Sequence, residues 1–552
     1  MSARVDPRVF AVILVSVALC TYQLNWGLPN GNDSWAADAL GPLTVLSIVR
    51  RSIAPWNSGW FYFKYPLGWP LLLALSYAPY LGVLFITGQW RHPAATYPYG
   101  FTRPEHALYV LAMLGRCVNV ACIATTVALT YGIGRRVFDR TTGVLAAWIV
   151  ATAYPLIYYA HTSNLDASYL MWLVMALWAA CVASDSERRG PYVVLGIAAA
   201  MAVSTKEQGF AFLLPLPLML VVRARHSASS MLPPRRRWWF AVWNPGTRAG
   251  LLAALMVMTI ANNVVLNPSG FLRRIRYLSG ARFADVNARL APVEFAWFKG
   301  WAKEWQYLTQ WYDMTESTFG PVLFAVVMLG VAYVAWRRRA GLWLLAPALA
   351  QYYLSLRTLD LITLRYTMPL SVVAALCGAA LCADAWATRR SWFPRVAVAA
   401  VCGLSLARGV ELDRLLRTDS RYQAETWMQT NIAAGSRVEF YQKPTYLPRL
   451  GRFTADWIPL DRRTIEGSQE RRPDAIVLSS AAKKGITHRW NPDWRQGHTL
   501  LVVAPPAKEL LQALEQEQLP YRIAARFSQH PWLLRPRITS LCPEITVLRR
   551  RS

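Results

Sequence analysis

Acidic and basic side chains of this sequence cluster at the ends of its apolar segments. A charge is costly to place there, so each such residue merits a functional interpretation. Asp33 stands just after the first apolar segment, in the turn GNDSW. A carboxylate held against an apolar surface has a raised pKa and can accept a proton from a hydroxyl or an amine as a general base. The alternative is structural, because an Asp in this turn can cap the helix that follows.

Two cations could bind a phosphate group. Lys64 lies among aromatic residues in the segment FKYP, and Arg365 opens an apolar segment as RYTMP. Arginine forks onto phosphate oxygens, while lysine acts as a point charge. The alternative is that both side chains extend their charged ends to the membrane edge without binding a ligand.

Two short turns hold further charged candidates. Lys206 and Glu207 lie in STKEQG between two apolar segments, where they either contact a ligand or form a local ion pair in a tight hairpin. His161 and Asp166 flank TSNL in another turn. Two such side chains are a weak indication of a metal site, and a capped turn is the simpler interpretation for His161.

The elements that must position these residues are membrane helices. The chain of 552 residues is 54% hydrophobic and contains 25 tryptophans. Its apolar runs repeat at lengths of about 20 residues, which is typical of spanning helices. The net charge is +28, but the arginines collect in the joins between apolar runs, which favours membrane topology over nucleic acid binding. The eight cysteines form no CxxC motif and indicate no disulfide framework.

The alternation of arginine-rich and arginine-poor joins predicts the sidedness of the chain. Arg4 and Arg8 precede the first apolar run, so the N-terminus is expected in the cytoplasm and Asp33 outside. Asp166 also falls on an outer join, so an even number of crossings must separate the two acids. The two apolar runs after Leu114 already supply two crossings, so residues 67–88 are expected to lie along the outer surface or to re-enter it, which their two prolines permit. The alternative is one further crossing elsewhere between the two acids. This interpretation gives about eleven spans and an outer C-terminus.

The composition changes from apolar to polar after residue 410. The pattern predicts a membrane domain over residues 1–410 and a small α/β domain outside the membrane over residues 411–552. No glycine-rich phosphate loop precedes a helix there, so no nucleotide is assigned. Helices are expected at 419–431 and 508–518, and strands at 436–441, 474–479, 499–504 and 523–527.

The order of these motifs resembles the GT-C superfamily of membrane glycosyltransferases, and within it the branch of protein O-mannosyltransferases and lipid A aminoarabinose transferases. An acid follows the first span, a Lys-Tyr-Pro segment comes next, and an arginine begins a later span. An acid and a lysine then occupy outer turns, before a late Arg-Tyr-x-x-Pro. The motifs are GNDSW with Asp33, KYPLGWP with Lys64, LGRCVNV with Arg116, NLDASY with Asp166, STKEQG with Lys206, and RYTMP with Arg365 and Tyr366.

The resemblance implies an all-α polytopic fold of GT-C type with outer surface-lying helices, followed by the extracytoplasmic α/β domain. It implies an enzyme that moves a sugar from a polyprenyl-phosphate carrier to a protein, lipid or glycan acceptor at the outer face of the cytoplasmic membrane. By this likeness Asp33 and Asp166 are catalytic. The residues expected to bind the carrier phosphate or the sugar are Lys64, Arg116, Lys206, Glu207, Arg365 and Tyr366.

The acid loop departs from the family pattern, in which two adjacent acids are frequent, because Asn32 precedes Asp33. This difference favours a reaction that requires no cofactor, with a divalent cation as the alternative. The Lys-Pro-Pro of the family is Lys-Tyr-Pro here. The alternative functions are a polytopic transporter or lipid flippase and a structural envelope protein. No internal repeat of the transporter kind is visible, and the charges stand at helix ends rather than at mid-helix.

Overall fold

The described residues divide into two compact units. The first unit consists of Met1–Leu24, Leu40–Ala288 and Val293–Val410, and the second of Asn25–Ala39 and Glu411–Ser552. The stretch that contains Asp33 was expected within the membrane domain, but it packs with the C-terminal unit. We call Asn25–Ala39 the acid loop. The computed structural model describes residues 6–36, 38–53, 55–186, 188–227, 242–281, 283, 298–358, 362–388, 392–481, 483–490 and 501–551.

Long apolar helices build the first unit, and the protein is a multi-pass membrane protein. Among the described residues, five helices are long and apolar enough to cross a membrane. A sixth candidate is the pair Arg140–Ala151 and Tyr154–Ala160, bent by 59° at a short break. The five are Gly68–Ile86, Pro104–Val137, Asp166–Ala183, Trp301–Arg337 and Leu364–Ala387, and the shorter apolar helices are Pro7–Thr21, Gly209–Val222 and Pro245–Ala261.

Residues 67–88 were expected to lie along the outer surface or to re-enter it. They form one helix, Gly68–Ile86, of 19 residues. Pro70 lies in its first turn, where no backbone hydrogen bond is lost, and Pro79 is accommodated inside the helix. The segment is therefore long and apolar enough to cross the membrane, and its expected position along the outer surface stays a prediction. The count of about eleven spans and the side of the C-terminus depended on that position, and both stay predictions.

Close contacts between glycines bring neighbouring helices of the first unit together. A Cβ atom on Gly134, Gly196 or Gly330 would lie 2.8, 2.0 or 2.5 Å from the backbone of the facing glycine. Small residues allow two helices to approach this closely. In a membrane, where the hydrophobic effect does not drive helices together, such close van der Waals packing stabilises their association. The facing pairs are Gly134 with Gly143, Gly196 with Gly250, and Gly330 with Gly378.

Shorter helices connect and surround the long ones. The helix Trp301–Arg337 is broken at Gly320, whose φ is 75°, because the proline that follows it disfavours helical backbone. A π-helical turn, Tyr352–Leu356, precedes the span that begins at Leu364. The remaining elements are Pro42–Ile53, Arg189–Thr205, Gly209–Leu213, Pro215–Ser227, Pro268–Leu278, Arg339–Leu344, Leu345–Gln351 and Phe393–Arg417.

The second unit contains a five-stranded sheet in the order β2-β1-β3-β7-β6. β1 is parallel to β2 and β3, whereas β7 is antiparallel to β3 and β6. The strands are β1 Arg437–Phe440, β2 Thr454–Trp457, β3 Ala475–Ser479, β6 Tyr521–Phe527 and β7 Ile545–Arg550, and a separate pair is β4 His488–Trp490 with β5 Leu501–Val503.

Helices cover both faces of this sheet. β3 is buried along its whole length, since Ser420–Asn431 packs on one face and Pro505–Glu515 on the other. The expected α/β domain is therefore confirmed, with β2, β4 and β7 as strands that the sequence analysis did not predict. The other helical segments are Pro444–Tyr446, Leu460–Arg462, Ile465–Arg471 and Lys484–Thr487.

Candidate active site

Two predicted site residues form a buried ion pair in the first unit. The Nζ atom of Lys206 lies 2.5 Å from Oδ1 of Asp166, and the two side chains are 0% and 1% exposed. Asp166 begins the helix Asp166–Ala183, and Lys206 ends the helix Arg189–Thr205. A carboxylate is favoured at a helix N-terminus and an ammonium at a C-terminus, so each helix stabilises the charge it presents.

Aromatic rings enclose the ammonium group of Lys206. Its Nζ atom lies 3.7 Å from the ring centroid of Tyr366 and 5.3 Å from that of Tyr169. The hydroxyl of Tyr169 accepts a hydrogen bond of 3.4 Å from Gln351. The π faces attract the cation electrostatically where water is excluded, so they supplement the carboxylate. The structure therefore brings together three of the predicted site residues, Asp166, Lys206 and Tyr366, and adds Tyr169 and Gln351.

Buried polar atoms without partners occur in the same segments. Within the part of the chain that the structure describes, Oε1 of Gln351, Oγ of Ser355 and Oγ1 of Thr205 are buried and have no hydrogen-bond partner. Each such group costs about 1–3 kcal/mol unless it is satisfied by another molecule. A π-helical turn such as the one that carries Ser355 is also frequent at functional sites. These segments are suited to contact a polar ligand.

Asn119 fixes the turn that leads into Asp166. Its amide group donates to the carbonyl oxygens of Tyr159, Thr162 and Asn164, at 3.2, 2.7 and 2.9 Å. The side chain of Asn164 in turn accepts from the backbone N–H of Asp166 at 3.0 Å. The sequence analysis did not select Asn119, although it stands in the same LGRCVNV motif as the predicted arginine.

Glu207 contacts a residue that the sequence analysis missed. It accepts a hydrogen bond from Arg274, which also donates to the carbonyl oxygen of Tyr62. The local ion pair between Lys206 and Glu207, considered as an alternative, is therefore not the arrangement found. Arg274 belongs to the amphipathic helix Pro268–Leu278, whose basic run RRIR is the signal that could have identified it. Glu207 is thereby linked to the segment that carries Lys64.

The remaining predicted cations differ in accessibility. Lys64 is exposed, with its Nζ atom 5.7 Å from the ring of Tyr65, and Arg365 is half-buried, 5.1 Å from the ring of Tyr366. Arg116 is buried and donates to the carbonyl oxygen of Leu24 at 2.5 Å. Lys64 and Arg365 are accessible enough to meet a ligand, whereas Arg116 supports the main chain at the end of the first helix.

His161 is used structurally. Its two ring nitrogens lie 2.8 and 2.6 Å from the carbonyl oxygens of Ile157 and Tyr22, so the ring links two backbone segments. This agrees with the simpler interpretation of His161 as part of a turn. The described residues contain no group of three His, Cys, Asp or Glu side chains placed to hold a metal ion. The expectation of a reaction without a required cofactor stays a prediction.

Asp33 lies in the second unit and its side chain is exposed. Partial desolvation by the surrounding protein raises the pKa of its carboxyl group above the usual range, and the positive charge of Lys443 opposes this shift. The next helix begins only at Pro42, so Asp33 does not cap it. The raised pKa and the exposed carboxyl group agree with the predicted function as a general base, and Lys443 is a neighbour that the sequence analysis did not find.

A family model described as dolichyl-phosphate-mannose-protein mannosyltransferase matches residues 111–234. The resemblance to protein O-mannosyltransferases is confirmed over that segment. The matched segment includes the predicted site residues Arg116, Asp166, Lys206 and Glu207, and it therefore contains both members of the buried ion pair.

Two solved structures are similar to most of the chain at low identity. The oligosaccharyltransferase of Archaeoglobus fulgidus, tethered with an acceptor peptide, is 14% identical over 91% of this chain and 71% of its own, with a TM-score of 0.47. ArnT from Cupriavidus metallidurans, bound to undecaprenyl phosphate, is 13% identical over 98% of this chain and 97% of its own, with a TM-score of 0.41. The search of curated proteins found no match to the sequence.

Proposed function

We propose that the protein is a glycosyltransferase that moves a sugar from a polyprenyl-phosphate carrier to an acceptor at the outer face of the cytoplasmic membrane. The observation that carries this proposal is the buried pair of Asp166 and Lys206, within the segment matched by the mannosyltransferase family. Ionised groups inside a membrane protein are expensive and are retained for function. Their position at helix ends, with an aromatic face of Tyr366 beside them, suits a fixed site for a polar substrate.

The reaction requires one base and a means to stabilise a departing phosphate. An acceptor hydroxyl forms a bond to the anomeric carbon of the sugar, while the bond from that carbon to the phosphate oxygen breaks. Asp33 takes the proton of the hydroxyl, which its raised pKa and exposed position allow. The phosphate stays on the carrier with increased negative charge. Lys64 and Arg365 are the accessible cations that we assign to it, since such groups lower the barrier where charge develops.

Asp166 has a different part in this proposal from the one predicted. Its carboxylate is bound to the ammonium of Lys206 and is 1% exposed, so proton transfer to a substrate is not the role that its surroundings favour. We assign Asp166 to the positioning of Lys206 and Tyr366. Arg116 and Glu207, through their contacts with Leu24 and Arg274, support the segments around the site.

Purified full-length protein would be tested with a panel of polyprenyl-phosphate hexoses and pentoses, and the free lipid phosphate released would be measured. We expect turnover by the wild type and a loss of about 10²–10⁴-fold in Asp33→Asn, which is the usual contribution of a general base. Asp38→Asn is the matched control in the same loop. Asp38 has a φ of 62°, a conformation that asparagine also adopts, so this variant should keep activity within a few-fold.

The same assay can overturn the proposal. No release from any donor, with or without cell-envelope extract as a source of acceptor, would favour the transporter or flippase instead. An equal loss in Asp33→Asn and Asp38→Asn would remove Asp33 from the role of base. We also expect turnover to persist in a chelator of divalent cations. Reporter fusions after residue 552 would test whether the C-terminus lies on the outer side.

A further inference from the structure

We propose that Arg421 is a positioning residue for the transfer reaction, because it holds the acid loop, which carries Asp33, against the C-terminal α/β domain. The inference rests on the proposed function, in which Asp33 is the base. The acid loop, Asn25–Ala39, belongs to the same compact unit as Glu411–Ser552. Its described residues, 25–36 and 38–39, form turns and one isolated bridge and no regular helix or strand, so their order must come from what they contact.

The centre of this arrangement is an ion pair that is closed to solvent. Nε and Nη2 of Arg421 donate to the two carboxylate oxygens of Asp419 at 2.9 and 2.7 Å, and both side chains are 0% exposed. Asp419 is also the N-cap of the helix Ser420–Asn431, where it accepts from the backbone N–H of Arg421. The capping bond and the two-pronged contact fix the guanidinium plane relative to the helix.

Arg421 and Asp419 contact both tryptophans of the acid loop. Nε1 of Trp26 donates to Asp419 at 3.1 Å. The guanidinium group lies 4.3 Å from the ring of Trp35 and donates to its carbonyl oxygen at 3.5 Å. Trp26 and Trp35 are both fully buried. Arginine stacks on aromatic faces and donates in its own plane at the same time, which lysine cannot do.

The guanidinium group of Arg421 also donates hydrogen bonds to backbone carbonyl groups elsewhere in the C-terminal domain. Nη1 donates to the carbonyl oxygen of Thr445 and Nη2 to that of Ser540, each at 2.7 Å. Thr445 stands two residues after Lys443, whose charge acts on Asp33. Arg421 therefore connects the acid loop to the segment that supplies a cation beside the candidate base.

A second set of contacts makes the fit specific. The backbone N–H of Gly27 donates to the hydroxyl of Tyr422 at 2.8 Å, and Arg449 donates to the carbonyl oxygen of Leu28 at 3.1 Å. Gly27 has a φ of +69°, and a Cβ atom there would lie 2.8 Å from the ring of Trp35. The acid loop therefore requires glycine at position 27, because a larger residue would overlap the ring of Trp35 and strain the backbone.

The test compares Arg421→Lys with Arg471→Lys in the full-length protein. Arg471 makes a two-pronged pair with Glu439, which is 2% exposed, and donates to the carbonyl oxygen of Arg462. These partners belong to the same domain and not to the acid loop. Both variants keep the positive charge and lose a two-point hydrogen bond to a buried carboxylate. A general loss of stability in the domain would therefore raise hydrogen exchange of the acid loop in both variants.

Hydrogen exchange of the acid loop is the first measurement, and it does not depend on turnover. We expect exchange across residues 25–39, including the amides of Gly27 and Asp33, to rise at least tenfold in Arg421→Lys and to stay at the wild-type level in Arg471→Lys. Equal exchange in both variants, or no change in Arg421→Lys, would overturn the proposal. If Arg421→Lys fails to fold, Trp35→Leu removes the ring under the guanidinium group while leaving the ion pair, and the same expectation applies to it.

Kinetics is the second measurement. We expect kcat to fall at least tenfold in Arg421→Lys with little change in KM for the donor. The acid limb of its pH profile should move to lower pH, because a released Asp33 becomes solvated and its pKa returns towards the usual range. A mobile loop with unchanged kcat would refute the positioning role. If the wild type turns over no donor, the proposed function fails, while hydrogen exchange still decides whether Arg421 orders the loop.

Discussion

Removal of one charge from the buried pair of Asp166 and Lys206 should destabilise the protein more than removal of both. At a separation of 2.5 Å, the attraction between the two charges is roughly 7 kcal/mol for an effective dielectric constant of about 20. Desolvation of each ion costs several kcal/mol, so the net value of the intact pair is small. The contact of the ammonium with the ring of Tyr366 adds about 2 kcal/mol when water is excluded.

Lys206→Met leaves the carboxylate of Asp166 buried without its partner. We expect a loss of about 3–5 kcal/mol in the free energy of unfolding, the usual result of breaking a buried pair. Asp166→Leu should cost a similar amount, because the ammonium then has only aromatic faces around it. The double variant Asp166→Leu with Lys206→Met leaves no charge behind and should lie within about 1–2 kcal/mol of the wild type. It should nevertheless lack turnover if the site needs this cation.

Unfolding in mixed micelles, followed by circular dichroism, would give the four free energies of this double-mutant cycle. The coupling between the two sites is the quantity of interest, since it isolates the pair from the effects of each side chain alone. A cost below about 1 kcal/mol for Lys206→Met is the value of an exposed pair and would refute the buried arrangement. Additive losses in the double variant would refute the coupling itself.

Three further outcomes follow from the second unit. Gly27→Ala should lower the free energy of unfolding by about 2–5 kcal/mol, because Gly27 has a positive φ and an added Cβ atom would overlap the ring of Trp35. Gly31→Ala is the matched control: Gly31 also has a positive φ but faces open space, so its cost should be about 1–2 kcal/mol. Lys443→Ala removes the charge that lowers the pKa of Asp33, so the acid limb of kcat/KM should move to higher pH, and a move to lower pH would contradict this electrostatic effect. Burial raises the pKa of the Asp413 carboxyl group to about 8 in the folded state, whereas the pKa of an Asp in an unfolded chain is about 4. The raised pKa therefore contributes stability fully below about pH 4, and this contribution is lost as the pH rises to about 8. The melting temperature of Asp413→Asn should therefore depend less on pH and exceed that of the wild type at pH 8; parallel pH curves would exclude this effect.

Residues at helix ends could be predicted well from the sequence. Asp166, Lys206 and Tyr366 each stand where an apolar run begins or ends, and the structure brings all three together. Their exact partners could not be predicted. Lys206 and Glu207 are adjacent in the chain, yet the first binds Asp166 and the second binds Arg274. Neighbouring side chains in a turn point in different directions, and packing between distant helices decides what each one meets.

The sequence predicted the fold class of each domain, helical for the first and α/β for the second, better than the individual elements. The sequence analysis predicted β1, β3, β5 and β6 and missed β2, β4 and β7, and β7 ends in charged residues. The prediction for residues 67–88 came from counting membrane crossings, which does not show whether the segment is a helix; the structure shows one continuous helix, Gly68–Ile86, that contains Pro79. The packing of the acid loop on the C-terminal domain could not be predicted from the sequence. Trp35 and Arg421 are far apart in the chain, so no local pattern indicates that they contact each other.

The separation of the acid loop from its binding surface bears on how the protein is made. Trp26 and Asp419 are 393 positions apart in the chain, so the loop emerges from the ribosome early and its partners among the last. Chains are synthesised from the N-terminus, and contacts of long sequence separation form late in folding. The helices of the first unit can thus enter the bilayer before Asp33 acquires its final surroundings. Under the proposed function, a chain that ends before Asp419 would be inserted into the bilayer but inactive, because its acid loop would lack the surface that it binds.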